Sequence, residues 1–336
     1  MPGTSTAVVI LNYNGANLLN RFLPSVIRHS PSAHIIVADN ASTDESLELL
    51  RKSFPEVQVI ALDKNYGYSG GYNRALAQTD AEYCVLLNSD VEVTAGWLEP
   101  LVNIMKQHPD IAAIQPKILA YQKPGYFEYA GAGGGFLDTL GYPFCRGRVF
   151  DFTEKDTGQY NDTREVGWAS GACLMVRTSV YRSLGGLDED FFAHMEEIDL
   201  CWRMIRSGRK VFYCGMATVY HVGAGTLAYG HPQKIYLNFR NNLRLLCYHL
   251  PLSELGWKLP LRLLLDWAAA MRFVFLGNTK GAASVCKAHF NFFSSLWQLW
   301  QKRTKLRRQY PFSTRLLYKG LIVWDYFVRK RLPVIP

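Results

Sequence analysis

Short apolar segments alternate with helical patterns through the first 120 residues of this 336-residue chain. They lie at Ala7 to Leu11, Ile35 to Ala38, Val57 to Leu62, Tyr83 to Leu87 and Ile111 to Gln115. Because they do not alternate polar with apolar residues, they are typical of strands buried on both faces of a sheet. Helices between successive strands indicate parallel pairing. The sequence therefore predicts an α/β fold with a doubly wound, mostly parallel sheet.

The composition supports a folded chain with a large core. Hydrophobic residues make up 49% of the chain and charged residues only 19%, a balance that excludes an intrinsically disordered protein. The seven cysteines are scattered and include no CxxC pair, which argues against a zinc or redox site and favours a reducing compartment.

Charge divides the chain into two regions, which we place at residues 1–232 and 233–336. Residues 1–232 carry 19 Lys and Arg against 25 Asp and Glu, whereas residues 233–336 carry 18 against 3. The second region is also rich in leucine and aromatic residues with helical spacing, so we predict a basic helical extension. Such a surface favours an anionic partner, either a membrane surface or a nucleic acid.

The extension is expected to lie on a membrane rather than to cross it. Its most apolar stretches, Leu259 to Leu276 and Ala288 to Trp300, are too interrupted or too short for a bilayer span. Trp297 to Trp300 and Leu316 to Val328 are each followed by basic residues, as in interfacial helices. The alternative is a helical subdomain packed on the core with a solvated basic face. The N-terminal residues show no signal-peptide pattern, so we expect a cytoplasmic protein, peripheral on the inner face of the cytoplasmic membrane.

Polar residues come directly after three of the predicted strands. They are Asn12 and Asn14 after the first strand, Asp39 and Asn40 after the second, and Asn88, Ser89 and Asp90 after the fourth. Ligands bind at the carboxyl ends of strands in open parallel sheets, so these side chains are expected to line one crevice. Asp90 is a candidate ligand for a divalent cation bridged to phosphate oxygens, although Asn, Ser and Asp are also ordinary turn formers.

A glycine-rich segment, Asn65 to Arg74, comes after the third strand and opens a helix. Its glycines would allow a nucleotide to approach the backbone, and Arg74 could neutralise a phosphate or pack on a base. The spacing is not GxGxxG, and the first strand leads into Asn12 to Gly15, which argues against a dinucleotide-binding oxidoreductase. Before this segment, Ser42 and Glu45 predict a capping box at a helix start.

The second half of the first region holds an acidic cluster and a histidine. Glu196, Glu197 and Asp199 lie among aromatic residues, and a carboxylate shielded by apolar neighbours has a raised pKa that suits a general base. Acids also favour helix N-termini because of the helix dipole, and both statements can hold. His221 comes after a predicted strand; it is a candidate metal ligand or a structural histidine.

The same half contains a long irregular segment and several predicted elements. Residues 121–165, in which Gly131 and Gly133 to Gly135 cluster, are expected to form a long loop or lid-like insertion. A strand is predicted at Ala172 to Val176, a helix at Glu196 to Ser207, and two more strands at Lys210 to Tyr213 and Thr218 to Tyr220.

Taken in order, these segments resemble glycosyltransferase family 2, whose members have the GT-A fold, and in particular its rhamnosyltransferase-like bacterial branch. The resemblance covers residue 6 to about residue 225. It rests on Val9 to Asn14, Val37 to Asp44, Asn65 to Arg74, Leu86 to Asp90, Gly171 to Arg177, Gly185 to Glu189, the acidic cluster and Tyr220-His221.

The resemblance implies a role for each matching residue. Asp39 would recognise the nucleoside in a pocket made of Asn12, Asn14, Asp39, Asn40, Asn65, Gly67, Gly70, Asn73, Arg74 and Ser89. Asn88 and Asp90 stand where the family has its DXD metal motif, so Asp90 would hold Mg²⁺ or Mn²⁺ with help from His221. The family's Glu-Asp motif maps to Glu196-Glu197, which makes Glu197 the implied base, with Glu196 and Asp199 as alternatives. Trp168, Gly171 and Trp202 would lie in the acceptor region.

The implied activity is inverting transfer of a rhamnose-like sugar from a nucleoside-diphosphate sugar to a cell-surface glycan or lipid-linked acceptor. Residues 1–120 would bind the donor, and residues 121–232 would supply the base and the acceptor site. A sugar-nucleotide nucleotidyltransferase is an alternative, but it should have a basic loop after its first strand, and Asn12 to Asn17 has no Lys or Arg. A nucleic-acid-binding protein is a further alternative, against which no zinc, helix-turn-helix or RNP-type motif accompanies the basic residues.

Overall fold

A mixed β-sheet forms the centre of the protein. The structure is a computed structural model, and it describes residues 5–128, 131–223, 231–313 and 318–331. The strands are β1 (Thr6–Asn12), β2 (His34–Asp39), β3 (Gln58–Ala61), β4 (Tyr83–Asn88), β5 (Val91–Val93), β6 (Ile111–Ala120), β7 (Gly135–Leu137), β8 (Pro143–Cys145), β9 (Arg148–Val149), β10 (Phe152–Thr153), β11 (Thr163–Glu165), β12 (Cys173–Arg177) and β13 (Lys210–His221). The helices are α1 (Ala16–His29), α2 (Ser46–Ser53), α3 (Gly67–Ala77), α4 (Leu98–Gln107), α5 (Thr178–Ser183), α6 (Glu196–Arg206), α7 (Pro232–His249), α8 (Leu252–Phe275), α9 (Thr279–Ser294) and α10 (Leu296–Gln309).

The central sheet has the order β11-β13-β6-β12-β4-β1-β2-β3, with β5 also paired to β13. Pairing is parallel from β3 through β2 and β1 to β4, and again between β6 and β13. β12 runs antiparallel between β4 and β6, and β5 and β11 run antiparallel to β13. The predicted, mostly parallel α/β sheet is confirmed, with β12 antiparallel inside it and β5 and β11 antiparallel to β13.

Both faces of the sheet are covered, as the unbroken apolar segments predicted. Alternate residues of β1 enter two separate cores because successive side chains of a strand point to opposite faces. Val8 and Ile10 pack in the core that contains residues of α1 and α4. Ala7 and Val9 pack in the core that contains residues of α3 and α6. The sheet therefore holds α3 and α6 on the same side.

The predicted loop at residues 121–165 is largely ordered, which corrects the sequence-based expectation. β7 to β10 form a small antiparallel sheet, and β11 joins the edge of the central sheet. Strands of two or three residues leave no periodic pattern in the sequence. The glycines serve close packing there: a Cβ at Gly135 would lie 2.1 Å from the Trp168 ring.

Two further local predictions were wrong. The predicted capping box does not form, because α2 begins at Ser46 and the Ser42 hydroxyl accepts hydrogen bonds from the Asn14 amide N–H and the Asn12 side chain. The two strands predicted between residues 210 and 220 are one strand, β13, with a register shift between Cys214 and Thr218.

The extension is helical, as predicted, in α7 to α10, and it shares a core with the α/β region. Leu243, Leu246 and Phe292 belong to the same buried cluster as the residues of α3 and α6. Of the segment predicted at Leu316 to Val328, residues 316–317 lie outside the described residues and residues 324–328 form one π-helical turn. No helix in the described ranges is long and apolar enough to cross a membrane.

Arg206, the last residue of α6, ties the α/β region to the extension. Its buried guanidinium donates hydrogen bonds to the carbonyls of Tyr248, Leu306, Tyr310 and Pro311. These carbonyls lie at or just beyond the ends of α7 and α10, and the Leu306 carbonyl also accepts from the Tyr310 N–H. One buried side chain therefore binds the ends of both helices.

Replacing Arg206 with Gln should lower the free energy of unfolding by about 3 kcal/mol, because buried carbonyls would lose their donors. Urea unfolding monitored by circular dichroism measures this change. The exposed Arg308 provides a matched control, and Arg308→Gln should change the stability by less than about 0.5 kcal/mol. Equal stability losses in the two variants would contradict the role given to Arg206.

Candidate active site

The ends of β1 and β2 are held together by buried polar contacts. The Asn12 amide donates to Asp39 Oδ2 at 2.9 Å, and the Ser42 backbone N–H donates to Asp39 Oδ1 at 2.8 Å. Asp39 is fully buried, and Asn12 Oδ1 has no hydrogen-bond partner among the described residues. The pair therefore forms a rigid floor at the carboxyl edge of the sheet.

Asn40 connects this floor to the glycine-rich segment. Its side-chain amide donates to Asn65 Oδ1 and to the Gly67 carbonyl, both at 3.0 Å, and its oxygen accepts from the Tyr66 N–H at 2.9 Å. Asn14 accepts a hydrogen bond from the Thr43 N–H. Five residues predicted to bind the nucleotide are thus gathered at one edge: Asn12, Asn14, Asp39, Asn40 and Asn65.

The predicted nucleotide residues on α3 make other contacts. Asn73 accepts hydrogen bonds from the Leu187 N–H and the Tyr181 hydroxyl, and Arg74 pairs with Glu189 at 2.9 Å. A Cβ at Gly70 would lie 2.9 Å from Tyr66 Cβ, so that glycine allows close packing within the segment. The contacts of Asn73 and Arg74 hold the segment at residues 187–189 in place, and nucleotide binding by them stays a prediction.

Asp90 and His221 meet because β5 pairs antiparallel with β13. Val91 lies opposite His221 in the register, which brings Asp90 Oδ1 within 3.2 Å of His221 Nε2. Both side chains are buried. Asn88 ends β4 on the same edge, and the Ser89 hydroxyl lies beside Gly15 at the end of β1.

Glu128 is a member of this group that sequence reasoning missed. Its buried Oε2 lies 3.2 Å from His221 Nδ1. Burial lowers the pKa of His221, but the contacts with Asp90 and Glu128 outweigh it and raise the pKa to about 10. Burial favours the neutral form of Asp90, yet His221 holds the pKa of that carboxyl below its ordinary value. Glu128 lies in the segment of residues 121–165, where no sequence pattern indicated which side chains turn inward.

The donor set fits a cation shared with a substrate. No group of three or more His, Cys, Asp and Glu within the described ranges could hold a metal ion alone. Asp90 supplies one carboxylate at a buried position, and His221 can supply a ring nitrogen only after releasing the proton that its raised pKa favours, as metal ligands do on binding. Mg²⁺ and Mn²⁺ commonly take their remaining ligands from phosphate oxygens and water. The residues fit a cation bridged to a diphosphate rather than an all-protein cage.

The acidic cluster begins α6 directly after a strained turn. Phe192, His194 and Met195 have φ of 65°, 66° and 75°, a region that residues other than glycine rarely adopt. Such strain is found where the surrounding structure fixes a functional residue. The turn also brings the Phe192 ring against Gly67, where a Cβ would lie 3.0 Å from the ring. Glu196 and Glu197 are therefore set close to the glycine-rich segment.

Glu197 has the protonation behaviour of a general base. Burial raises the pKa of Glu197 to about 7, with backbone hydrogen bonds at the helix start opposing the rise. Burial, and then the charge of Glu197, raise the pKa of Glu196 well above its ordinary value. Glu197 is the more accessible of the two, and within the described ranges neither Oε2 has a hydrogen-bond partner. Glu197 is thus the better placed of the two to take a proton from a substrate hydroxyl, as the resemblance implies.

Gly171, which the resemblance assigned to the acceptor region, lies next to Glu197, and acceptor binding there stays a prediction. The Tyr68 hydroxyl donates to the Gly171 carbonyl at 2.7 Å, and a Cβ at Gly171 would lie 3.8 Å from Glu197 Cβ. Tyr68 belongs to α3, one residue after Gly67, so a single turn of helix contacts both the nucleotide edge and the neighbourhood of the base.

The structure argues against Asp199 as the base. Burial favours its neutral form, but the charge of Arg203, with the hydrogen bond from His249, holds the pKa of Asp199 far below its ordinary value. Arg203 Nη2 lies 2.7 Å and His249 Nε2 2.8 Å from its oxygens. Arg206 donates to His249 Nδ1, which leaves Nε2 to carry the proton that Asp199 accepts. A carboxylate held in this way is a structural anchor for α6.

Trp168 and Trp202, predicted in the acceptor region, are buried in packing interfaces. Trp202 stacks on His249 at 4.7 Å between ring centroids and donates to the Ser313 carbonyl. Trp168 donates to the Phe136 carbonyl of the small sheet. Both indoles are at least nine-tenths buried, so an acceptor cannot reach their ring faces without a rearrangement.

Comparison with known proteins identifies the family. A family model described as glycosyl transferase family 2 matches residues 7–185, more than half of the chain. The chain belongs to glycosyltransferase family 2. It is 30% identical over 233 residues to the N-acetylglucosaminyl-diphospho-decaprenol L-rhamnosyltransferase of Mycobacterium tuberculosis, covering 64% of this chain and 75% of that relative. It is 25% identical over 240 residues to the low-salt glycan biosynthesis hexosyltransferase Agl10 of Haloferax volcanii, covering 70% and 73%.

Solved structures confirm the predicted GT-A fold. GalNAc-T7, determined with UDP, GalNAc and Mn²⁺, has a TM-score of 0.57 at 18% identity over 73% of this chain and 48% of its own. S. aureus TarS 1-349 with UDP has a TM-score of 0.50 at 15% identity over 72% and 64%. The chain spans less than two thirds of each of these solved chains. At such identities the likeness concerns the fold alone.

Activity of this glycosyltransferase should rise with pH through about 7, because Glu197 accepts a proton only when ionised and its pKa is about 7. Below that pH, kcat/KM should fall about tenfold per unit. Initial rates at saturating cation between about pH 5 and pH 9 measure the profile.

The neighbouring acid provides the control for this profile. Glu196→Gln should keep both the activity and the rising limb, because burial and the charge of Glu197 both favour the neutral form of Glu196, which the amide replaces. A profile that is flat across this range would contradict the assignment, and loss of the limb in Glu196→Gln would move the base to Glu196.

Proposed function

We propose that this family 2 enzyme catalyses inverting transfer of a rhamnose-like sugar from a nucleoside-diphosphate sugar to a hydroxyl of a lipid-linked or cell-surface glycan acceptor. The observation that carries the proposal is the position of Glu197, a partly accessible acid with a raised pKa, beside the edge of the sheet where the nucleotide residues gather. Two residues of α3 connect this edge to Glu197. The Gly67 carbonyl accepts a hydrogen bond from Asn40, and the Tyr68 hydroxyl donates to the Gly171 carbonyl beside Glu197.

Donor and acceptor are supported by the relatives. The Mycobacterium tuberculosis relative is named as an L-rhamnosyltransferase acting on a diphospho-decaprenol. TarS has been solved with UDP and with UDP-GlcNAc. These names favour a nucleotide-sugar donor and a lipid-linked acceptor here. The nucleotidyltransferase alternative is not favoured, because the matching family model and the relatives are glycosyltransferases.

In this mechanism Glu197 takes the proton from the acceptor hydroxyl as its oxygen forms a bond to the anomeric carbon. The bond from that carbon to the diphosphate breaks in the same displacement, and the diphosphate leaves with the electron pair, so the configuration inverts. Asp90 and His221 would hold a divalent cation, which when bound neutralises the charge of the leaving diphosphate. Burial and the charge of Glu197 favour the protonated form of Glu196, which limits the negative charge beside Glu197.

We also propose that the enzyme works as a peripheral protein on the inner face of the cytoplasmic membrane. A lipid-linked acceptor requires access to the bilayer surface. The excess of basic residues in 233–336 favours an anionic lipid surface.

Glu197→Gln and Asp90→Ala should each reduce transfer by about 100-fold or more, because one removes the base and the other the carboxylate that would hold the cation. A radiolabelled sugar-transfer assay measures the loss, and circular dichroism checks the fold. The exposed Glu48 and Asp80 give matched controls, and Glu48→Gln and Asp80→Ala should transfer normally. Full activity in Glu197→Gln would remove that residue from its role.

A thermal-shift panel of nucleotide sugars tests the donor. Thymidine, uridine and guanosine diphosphate sugars are each added with Mn²⁺, and one should raise the melting temperature by several degrees because it binds only the native state. Asp90→Ala should lose the part of the shift that requires Mn²⁺. Failure of every nucleotide sugar to stabilise the folded enzyme would contradict the proposed donor class.

A further inference from the structure

Helix α8 is built with its apolar side outward. Its exposed residues recur every three or four positions along one side of this 24-residue helix, and the most exposed are Leu264 at 67% and Phe275 at 81%. The outward stripe consists of Trp257, Leu261, Leu264, Trp267, Met271, Val274 and Phe275. In an ordinary surface helix the polar face is exposed to solvent and the apolar face packs on the core.

The inward side of the same helix carries charged residues. Lys258, Arg262 and Asp266 are all buried. Arg262 Nε lies 3.0 Å from Asp266 Oδ1, and His289 Nε2 of α9 lies 3.2 Å from Asp266 Oδ2. The Arg262 guanidinium also lies 3.4 Å from the centroid of the Tyr142 ring. Arg262 and Asp266 have buried partners, so the contacts of the interior fix this orientation of α8. The apolar stripe therefore faces outward as a consequence of specific packing.

The apolar stripe continues onto neighbouring elements. Phe290 and Phe293 of α9 and Trp297 and Trp300 of α10 are about half exposed or more, again at spacings of three or four. The Trp267 ring contacts His289 of α9. On the other side, the Arg272 guanidinium lies 5.8 Å from the ring of Phe327, in a segment that also exposes Leu321, Trp324 and Val328. We call the exposed side of α8, α9, α10 and residues 321–328 the apolar face.

The chemistry around the apolar face selects its partner. Five of the eight tryptophans of the chain are exposed on it, at Trp257, Trp267, Trp297, Trp300 and Trp324, and indole rings favour the boundary between lipid and water. Its surroundings are basic, and none of the three acids of residues 233–336, all of which lie in the described ranges, is exposed. The exposed basic residues include Arg272, Lys280, Lys305, Arg307, Arg308, Arg329, Lys330 and Arg331.

We propose that the apolar face inserts into the headgroup region of an anionic bilayer, with α8 lying in the plane of the membrane. Insertion removes the exposed rings from water, and the basic residues then meet anionic headgroups. A second copy of this chain fits less well, because two basic surfaces would be brought together. The inference gives the membrane contact proposed above a specific surface and does not depend on the transfer chemistry.

Vesicle sedimentation of the full chain tests the proposal. Wild type should bind phosphatidylcholine vesicles that contain about 30 mol% phosphatidylglycerol, with a blue shift of tryptophan fluorescence. Leu264→Asp and Phe275→Asp should each weaken binding about tenfold or more, since a carboxylate would enter the lipid. Met216, 70% exposed on β13, gives the matched control, and Met216→Asp should bind as wild type does.

Charge and insertion are separated by a second variant and by salt. Replacing Arg329, Lys330 and Arg331 with Gln should weaken binding to anionic vesicles in low salt while leaving the blue shift of the bound protein in place. Transfer to a water-soluble acceptor should be unchanged in Leu264→Asp and Phe275→Asp, which distinguishes failure of this inference from failure of the proposed activity. Unchanged vesicle binding in these two variants, or a solution dimer that they dissociate, would overturn the proposal.

Discussion

The parallel register of β1 between β2 and β4 is the constraint on which the rest of the site depends. Asn12 pairs with Asp39 across one ladder, and Leu11 pairs with Asn88 across the other, so three strands end at the same level. Their backbone groups are satisfied by the sheet up to this edge, and the side chains beyond it are free to bind one another or a ligand. The polar residues that follow these three strands begin at this level, and the segment after β3 joins them through Asn40.

Glu197, the base that we propose, is brought to this edge by the other layer of the fold. Asp199, paired with Arg203 and His249, anchors α6, and the strained turn before it sets Glu196 and Glu197 at the helix start. Burial favours the protonated form of Glu197 against the backbone hydrogen bonds of the helix start. Its retention there is understandable if the raised pKa of Glu197 serves proton transfer. The same network reaches Arg206 and the ends of α7 and α10, so the extension supports the position of the base.

Hydrophobic periodicity and the polar residues at strand ends were enough to predict β1 to β4, β6 and the helix at the acidic cluster from the sequence. They were not enough to predict β5 or the role of Glu128. A three-residue strand is too short to show periodicity, and nothing in residues 121–165 indicates that the Glu128 side chain is buried. Trp168 and Trp202 were predicted near the acceptor, although composition cannot show which face of an indole is covered. The sequence also did not predict which side of α8 faces the interior. Arg262 and Asp266 are buried because they contact Tyr142 and His289, which are distant in the sequence.

In the function we propose, the enzyme would meet a nucleotide-sugar donor at its sheet edge and a lipid-linked acceptor at the membrane surface. The central claim is that Asp90 and His221 hold a cation on the donor diphosphate while Glu197 activates the acceptor. Anomalous diffraction from crystals soaked with Mn²⁺ and a nucleoside diphosphate tests it directly. We expect a Mn²⁺ peak beside Asp90, between that carboxylate and the bound diphosphate. A Mn²⁺ and diphosphate bound elsewhere, with Asp90 and His221 still paired to each other, would contradict it.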